Sequence, residues 1–118
     1  MAYVDGFVLA VPTARKEEYR AVAEIMAPIF RDFGATQIVE CWGDDVPDGE
    51  VTSFPMAVKA KDDETVVFSW IVWPDKATRD AAYPVFMEDE RMKDLGPEKM
   101  PFDGKRMILG GFDMMLEG

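Results

Sequence analysis

The run Thr65-Val66-Val67-Phe68-Ser69-Trp70-Ile71-Val72-Trp73 constrains this chain more than any other segment. Nearly every residue in it favours pleated backbone, and Pro74 ends it. Successive side chains of a strand point to opposite faces, so Val66, Phe68, Trp70 and Val72 share one side while Val67, Ile71 and Trp73 share the other with Ser69. A strand with one wet face alternates apolar with polar residues; this one calls for burial on both sides. The first segment repeats the pattern. Tyr3, Phe7, Leu9 and Val11 oppose Val4, Val8 and Ala10, and Pro12 closes the run. Any fold available to this chain must therefore cover a sheet twice.

Each of these strands leads through a proline into a helix signal: Val11-Pro12-Thr13-Ala14-Arg15-Lys16 shares its plan with Trp73-Pro74-Asp75-Lys76-Ala77-Thr78. After the first, Tyr19, Val22, Ala23, Met26, Ile29, Phe30 and Phe33 recur at three-four spacing. They predict a helix over 14–33, with Thr13 as its cap, a bend at Pro28 and a stop at Gly34. After the second, Asp75 is expected to cap a helix that Pro84 kinks, that continues through 85–93 and that Gly96-Pro97 ends. Two further strands are predicted over 35–42 and 106–115. Gly110-Gly111 marks a bulge or a close backbone approach in the last one, and a bulge would swap the facing of Arg106 relative to Asp113. Residues 43–50 have the Gly, Pro and Asp content of a solvated loop, and 54–60 suit either a short helix or extended backbone.

The order is strand, helix, strand, strand, helix, strand. This is the α+β, ferredoxin-like split β-α-β plan (β-α-β-β-α-β): a single domain over 1–118 whose four-stranded antiparallel sheet carries both helices on one face. The other face is left bare. Each large side chain kept wet there forfeits roughly 1.5 to 3 kcal/mol, and a contiguous apolar patch on a soluble chain marks an interface. A homodimer whose two sheets face each other, a dimeric alpha+beta barrel with a shared cavity, is the expected solution. The alternative cover is the chain itself, through residues 54–61 or the loop before Phe102.

Composition then removes whole classes of chemistry. Among 118 residues there is no His and one Cys, so disulfide frameworks, zinc ribbons, haem ligation by His and histidine-based nucleophilic catalysis are excluded. A formal net charge of -10 offers no footprint for a phosphate backbone, and no nucleic-acid partner is expected. No apolar run reaches the roughly 18 to 20 residues of a membrane span, and no signal-peptide pattern opens the chain. An acidic cytoplasmic protein without membrane, metal or cofactor is expected.

Asp5, Glu40 and Asp113 are charged where apolar neighbours predict burial, and a buried carboxylate must pair, hydrogen-bond or hold a proton. Asp5 shares a face with Tyr3 and Phe7, and Glu40 with Ile38 and Trp42. If those sides line the shared cavity, Asp5 or Glu40 is a candidate acid or base beside Trp42 and Trp70. The competing reading is that Arg106 or another basic side chain neutralises them structurally, or that they lie at exposed strand ends. Trp42, Trp70 and Trp73 suit an aromatic wall or plain packing. Cys41, beside the acidic Glu40, reads as an inert core residue. Asp44, Asp45, Asp48 and Glu50 carry Val46 where a calcium loop needs an oxygen. Gly104-Lys105 lacks the surroundings of a phosphate loop.

The runs Tyr3-Val4-Asp5-Gly6-Phe7, Glu40-Cys41-Trp42-Gly43-Asp44-Asp45-Val46-Pro47, Val66-Val67-Phe68-Ser69-Trp70 and Pro101-Phe102-Asp103-Gly104-Lys105-Arg106-Met107 resemble the YbaA-like family of small bacterial proteins, a domain family of unknown function. The resemblance spans nearly the whole chain. It implies a ferredoxin-like fold of the dimeric alpha+beta barrel type and transfers no catalytic residues.

The function expected from the residues is a small homodimer holding a modest apolar or aromatic ligand between its sheet and the helices or partner chain. Asp5, Glu40, Trp42, Trp70, Arg106 and Asp113 are the pocket candidates. The alternative is a structural or protein-interaction module whose open face only makes the dimer. A pocket of roughly 300 Å³ or more with convergent polar groups separates the first from the second.

Overall fold

The computed structural model describes residues 2–93, 95–96 and 99–118. Strands β1 (Tyr3–Pro12), β2 (Gln37–Trp42), β3 (Glu64–Trp73) and β4 (Ile108–Asp113) form one sheet in the order β2-β3-β1-β4. Every neighbouring pair is antiparallel. The two strands that are apolar on both sides, β1 and β3, are the central ones. Helices α1 (Lys16–Asp32) and α3 (Lys76–Phe86) pack on one face, where Phe30 and Ala82 meet Tyr3, Ile71 and Trp73. The expected ferredoxin-like α+β plan is the observed one.

The opposite face is only partly bare. Helix α2 (Phe54–Ala57) is capped by Ser53, whose hydroxyl accepts from the Met56 N–H. It carries the fully buried Val58 onto Ala10 and Val66 and so roofs one end of the sheet. The ambiguity over 54–60 is thus settled as a short helix and a turn. Beyond this roof, Phe68, Ile108 and Phe112 remain 42, 45 and 59 % exposed. The chain covers part of its second face and leaves the rest apolar.

Three local expectations are corrected. Thr13 does not cap α1. A 3-10 turn, Thr13–Arg15, precedes the helix without a side-chain cap, and the Thr13 hydroxyl instead shares a 2.6 Å hydrogen bond with that of Thr65. The cause is register. Pro12 still pairs with Glu64, so the chain leaves β1 alongside β3 and Thr13 is satisfied across the strand gap. Helix α3, capped by Asp75 as expected, ends at Phe86 rather than continuing to residue 93. Pro84 lies in its last turn, and Asp89 accepts from the Arg91 N–H to open a separate 3-10 turn, Glu90–Met92. Such a local side-chain bond competes with helix continuation. Pro97, expected to help stop that helix, lies outside the described residues.

The third correction concerns β4. It spans 108–113, and its pairing with β1 runs without a slip from Val8↔Ile108 to Tyr3↔Asp113. Gly110-Gly111 therefore form no bulge. Gly111 is instead a close approach: a Cβ there would lie 2.8 Å from carbons of the Tyr3 ring. Arg106 falls before the strand, in the 3-10 turn Gly104–Arg106. By contrast Gly34 ends α1 as expected. Its φ of 115° lets the Ala35 N–H reach back to the Phe30 carbonyl at 3.0 Å.

Candidate functional site

Register sorts the six expected pocket residues between the two faces. Asp5 on β1 faces Ile71 of β3, and Glu40 on β2 faces Ser69. Both point beneath the helices, not toward the face a partner would cover. Trp42 lies on the same side. Trp70 lies on the other, where its indole N–H donates to Gln37 Oε1 at 3.3 Å and its ring packs 5.6 Å from that of Phe68. The arrangement of Asp5 or Glu40 beside both tryptophans in one shared cavity does not form, because the register sets Asp5 and Glu40 level with Ile71 and Ser69, whose side of β3 is opposite to that of Trp70.

Asp5 is 2 % exposed and fully engaged. Arg79 of α3 reaches its Oδ1 at 2.9 Å, the indole N–H of Trp73 reaches Oδ2 at 2.9 Å, and the Tyr83 hydroxyl donates to Oδ2 as well. The Arg79 guanidinium also lies over the rings of Tyr83 and Tyr3, with centroid distances of 4.5 and 5.3 Å. A carboxylate with a bidentate cation and two neutral donors is structurally neutralised. The basic side chain paired with Asp5 is Arg79, not Arg106. Burial, and then the bond to Asp5, push the Tyr83 hydroxyl up from its usual pKa.

Arg106 serves a different junction. Its guanidinium grips both oxygens of Glu64, at 2.8 and 2.7 Å, and donates to the Lys59 carbonyl at 2.9 Å. This ties the turn before β4 to the segment after α2. The pairing holds Glu64 down to about 2. Asp113 sits exposed at the far end of β4, opposite Tyr3. Neither residue reaches Glu40's surroundings.

Glu40 has a sparser setting. The Tyr19 hydroxyl of α1 donates to its Oε1 at 2.6 Å, and among the described residues no Lys or Arg forms an ion pair with it. Glu40 is exposed, and its side chain borders two hollows at the edge of the sheet, one beneath the helices and one beside α1. Loss of hydration raises its pKa above the usual carboxylate value, and the Tyr19 bond only partly opposes this. Burial first, and the neighbouring carboxylate second, raise the Tyr19 hydroxyl as well.

One of those hollows is an apolar cleft of about 320 Å³ between the sheet and its helices. Phe7 and Ile71 form part of its floor, Met26 and Phe30 part of its roof, and Phe86 and Phe102 stand at its ends. Its polar groups are Glu40 with Tyr19, the buried Ser69, and Tyr83, whose hydroxyl is already committed to Asp5. Among the described residues no group of three or more His, Cys, Asp or Glu could hold a metal ion. No described helix is long and apolar enough to cross a membrane.

Tyr19, Arg79 and Tyr83 were not singled out by sequence reasoning. Tyr19 sat in the apolar stripe of α1 as one more core residue. Arg79, Tyr83 and Phe86 share a helix face at three-four spacing. An arginine on a face that packs against a sheet demands a carboxylate, and that signal pointed to Asp5.

Comparison with solved structures places the fold among known ones. A dimeric ferredoxin-like protein from an uncultured marine organism superposes with a TM-score of 0.60 at 13% identity, covering 100% of both chains. A mutant form of SnoaB, a cofactor-independent oxygenase from Streptomyces nogalater, superposes with a TM-score of 0.58 at 15% identity, covering 98% of this chain and 95% of its own. In sequence the chain is 60% identical over 117 residues to the uncharacterized protein YbaA of Escherichia coli strain K12, covering 99% of each. The proteins of that name from Escherichia coli O157:H7 and Shigella flexneri match equally. The family model described as "Protein of unknown function (DUF1428)" matches residues 2–104, and the chain belongs to that family.

Proposed function

We propose that this chain is a homodimeric binding protein that closes the uncovered part of its sheet against a second copy and holds a modest apolar ligand in the cleft beneath its helices. The cleft of about 320 Å³ carries the reading. It lies at the small end of ligand-pocket volumes, roughly 300 to 1,000 Å³. Its walls are aromatic and aliphatic, and one carboxylate with spare acceptor capacity opens into it. The sequence expectation of several convergent polar groups reduces to Glu40 and Tyr19. Asp5 acts from behind the wall, holding Tyr83 in place.

The dimer is supported by the side chains left exposed. Phe68, Ile108 and Phe112 form an apolar surface with Trp70 and Val72 on the side away from the helices. Covering what remains exposed of each would add about half of the roughly 1.5 to 3 kcal/mol that full burial of such a side chain is worth. The solved neighbour described as dimeric shares the fold. Native mass spectrometry of protein purified from its host tests both halves. The expected spectrum shows twice the chain mass with a small-molecule adduct; a bare monomer at micromolar concentration would contradict the proposal.

A further inference from the structure

Resting on that reading, we infer that the cleft selects an organic ammonium: a positively charged nitrogen that docks on Glu40, carried by an aromatic or aliphatic body that fills the apolar space. Three observations lead there independently. First, Tyr19 occupies Oε1 of Glu40 and no protein cation completes the pair. A carboxylate at the border of an apolar cleft gains from a ligand that brings the missing charge. The nearby cations are already placed. Arg20 pairs with Glu24 at 3.0 Å, and Lys16 lies over the Trp42 ring at 5.3 Å.

Second, aromatic rings line the cleft that Glu40 borders. The Tyr19 and Phe102 rings meet edge to face at 6.0 Å, and a cation near aromatic faces is attracted by their quadrupoles. Third, the formal net charge of -10 favours the approach of cations and opposes that of anions. A neutral alcohol could donate a hydrogen bond to Glu40 but would bring no charge, and a carboxylate ligand would be repelled. The raised pKa of Glu40 is what an uncompensated carboxylate shows before its counter-charge arrives.

The test keeps the hydrocarbon body constant and changes the head group. Isothermal titration of the full-length protein at neutral pH and low salt is run with 2-phenylethylamine, 2-phenylethanol and phenylacetate. The amine is expected to bind at least about tenfold tighter than the alcohol, and phenylacetate more weakly than either. Salt should weaken the amine alone, since only that contact is ionic. In Glu40→Gln the preference should fall to within about twofold while the alcohol retains its affinity, which also shows that the variant folds. In Tyr19→Phe the preference should survive. Equal binding of amine and alcohol to the unaltered protein, or a preference that persists in Glu40→Gln, overturns the assignment of charge and leaves the apolar cleft standing. If none of the three binds at millimolar concentration, the cleft is no ligand site and the ammonium assignment falls with it.

Discussion

Two carboxylates on the same side of one sheet have opposite fates here. Asp5 receives a guanidinium, an indole N–H and a phenolic hydroxyl, and is sealed from water. Glu40 receives one phenolic hydroxyl and stays reachable. The difference lies in the helix above each. Over Asp5, α3 brings Arg79 and Tyr83 one turn apart; over Glu40, α1 brings Tyr19 followed by the small Ala23 and Ala27, which leave room. A spent carboxylate holds a fold together. One with an acceptor to spare can hold something else.

The comparison breaks most visibly at Asp5. Asp5→Ala strands the half-buried Arg79 and removes the acceptor for Trp73 and Tyr83, with an expected loss of about 3 to 5 kcal/mol, read by urea denaturation. A loss under about 1 kcal/mol would make Asp5 as dispensable as a surface charge. Next in size, Phe112→Asp places a charge in the proposed dimer face, and sedimentation equilibrium should show association weakened at least about a hundredfold. Unchanged association would move the interface elsewhere.

The Glu64–Arg106 pair sharpens the contrast through pH. Glu64 is held at about 2 when folded, against roughly 4.3 in the unfolded chain. Its contribution is therefore complete above about 4.3 and is lost as pH falls toward 2. Arg106→Met should flatten this part of the stability curve. An unaltered acid limb would place the loss at other carboxylates. Glu40 has the reverse sign. Its folded pKa is raised, so the folded state binds its proton more tightly and Glu40 disfavours folding as pH rises from the unfolded value through the folded one. Glu40→Gln is accordingly expected to leave stability at pH 7 unchanged or slightly higher, within about 1 kcal/mol. A large loss would show that Glu40 is structural after all.

Much of this was legible in the residues. The doubled strand-Pro-helix plan gave the topology, because periods of two and of three to four residues are properties of local sequence. The split of β1 and β3 into two apolar faces likewise followed from alternation alone. Helix ends were less legible: Thr13 and Asp75 look equally like caps, and only the pairing of Pro12 with Glu64 removes the first. The site was read in pieces. Asp5 and Glu40 stood out as charged strand residues, but their roles depend on which helix crosses above them. Arg106 and Asp113 were nominated from a strand that begins two residues later than expected. Trp70 shares a face with Phe68 by alternation, but which face that is relative to Asp5 and Glu40 depends on the register between strands, which the sequence does not carry.

The most direct test of the account is a carboxyl NMR titration of Glu40 in the full chain, run with and without 2-phenylethylamine. The account predicts a midpoint above the ordinary glutamate value of about 4.3 that falls when the amine is added, because a bound cation favours the ionised form. A midpoint at or below the ordinary value, unmoved by the amine, would show that Glu40 is already compensated and that the cleft offers no vacant charge.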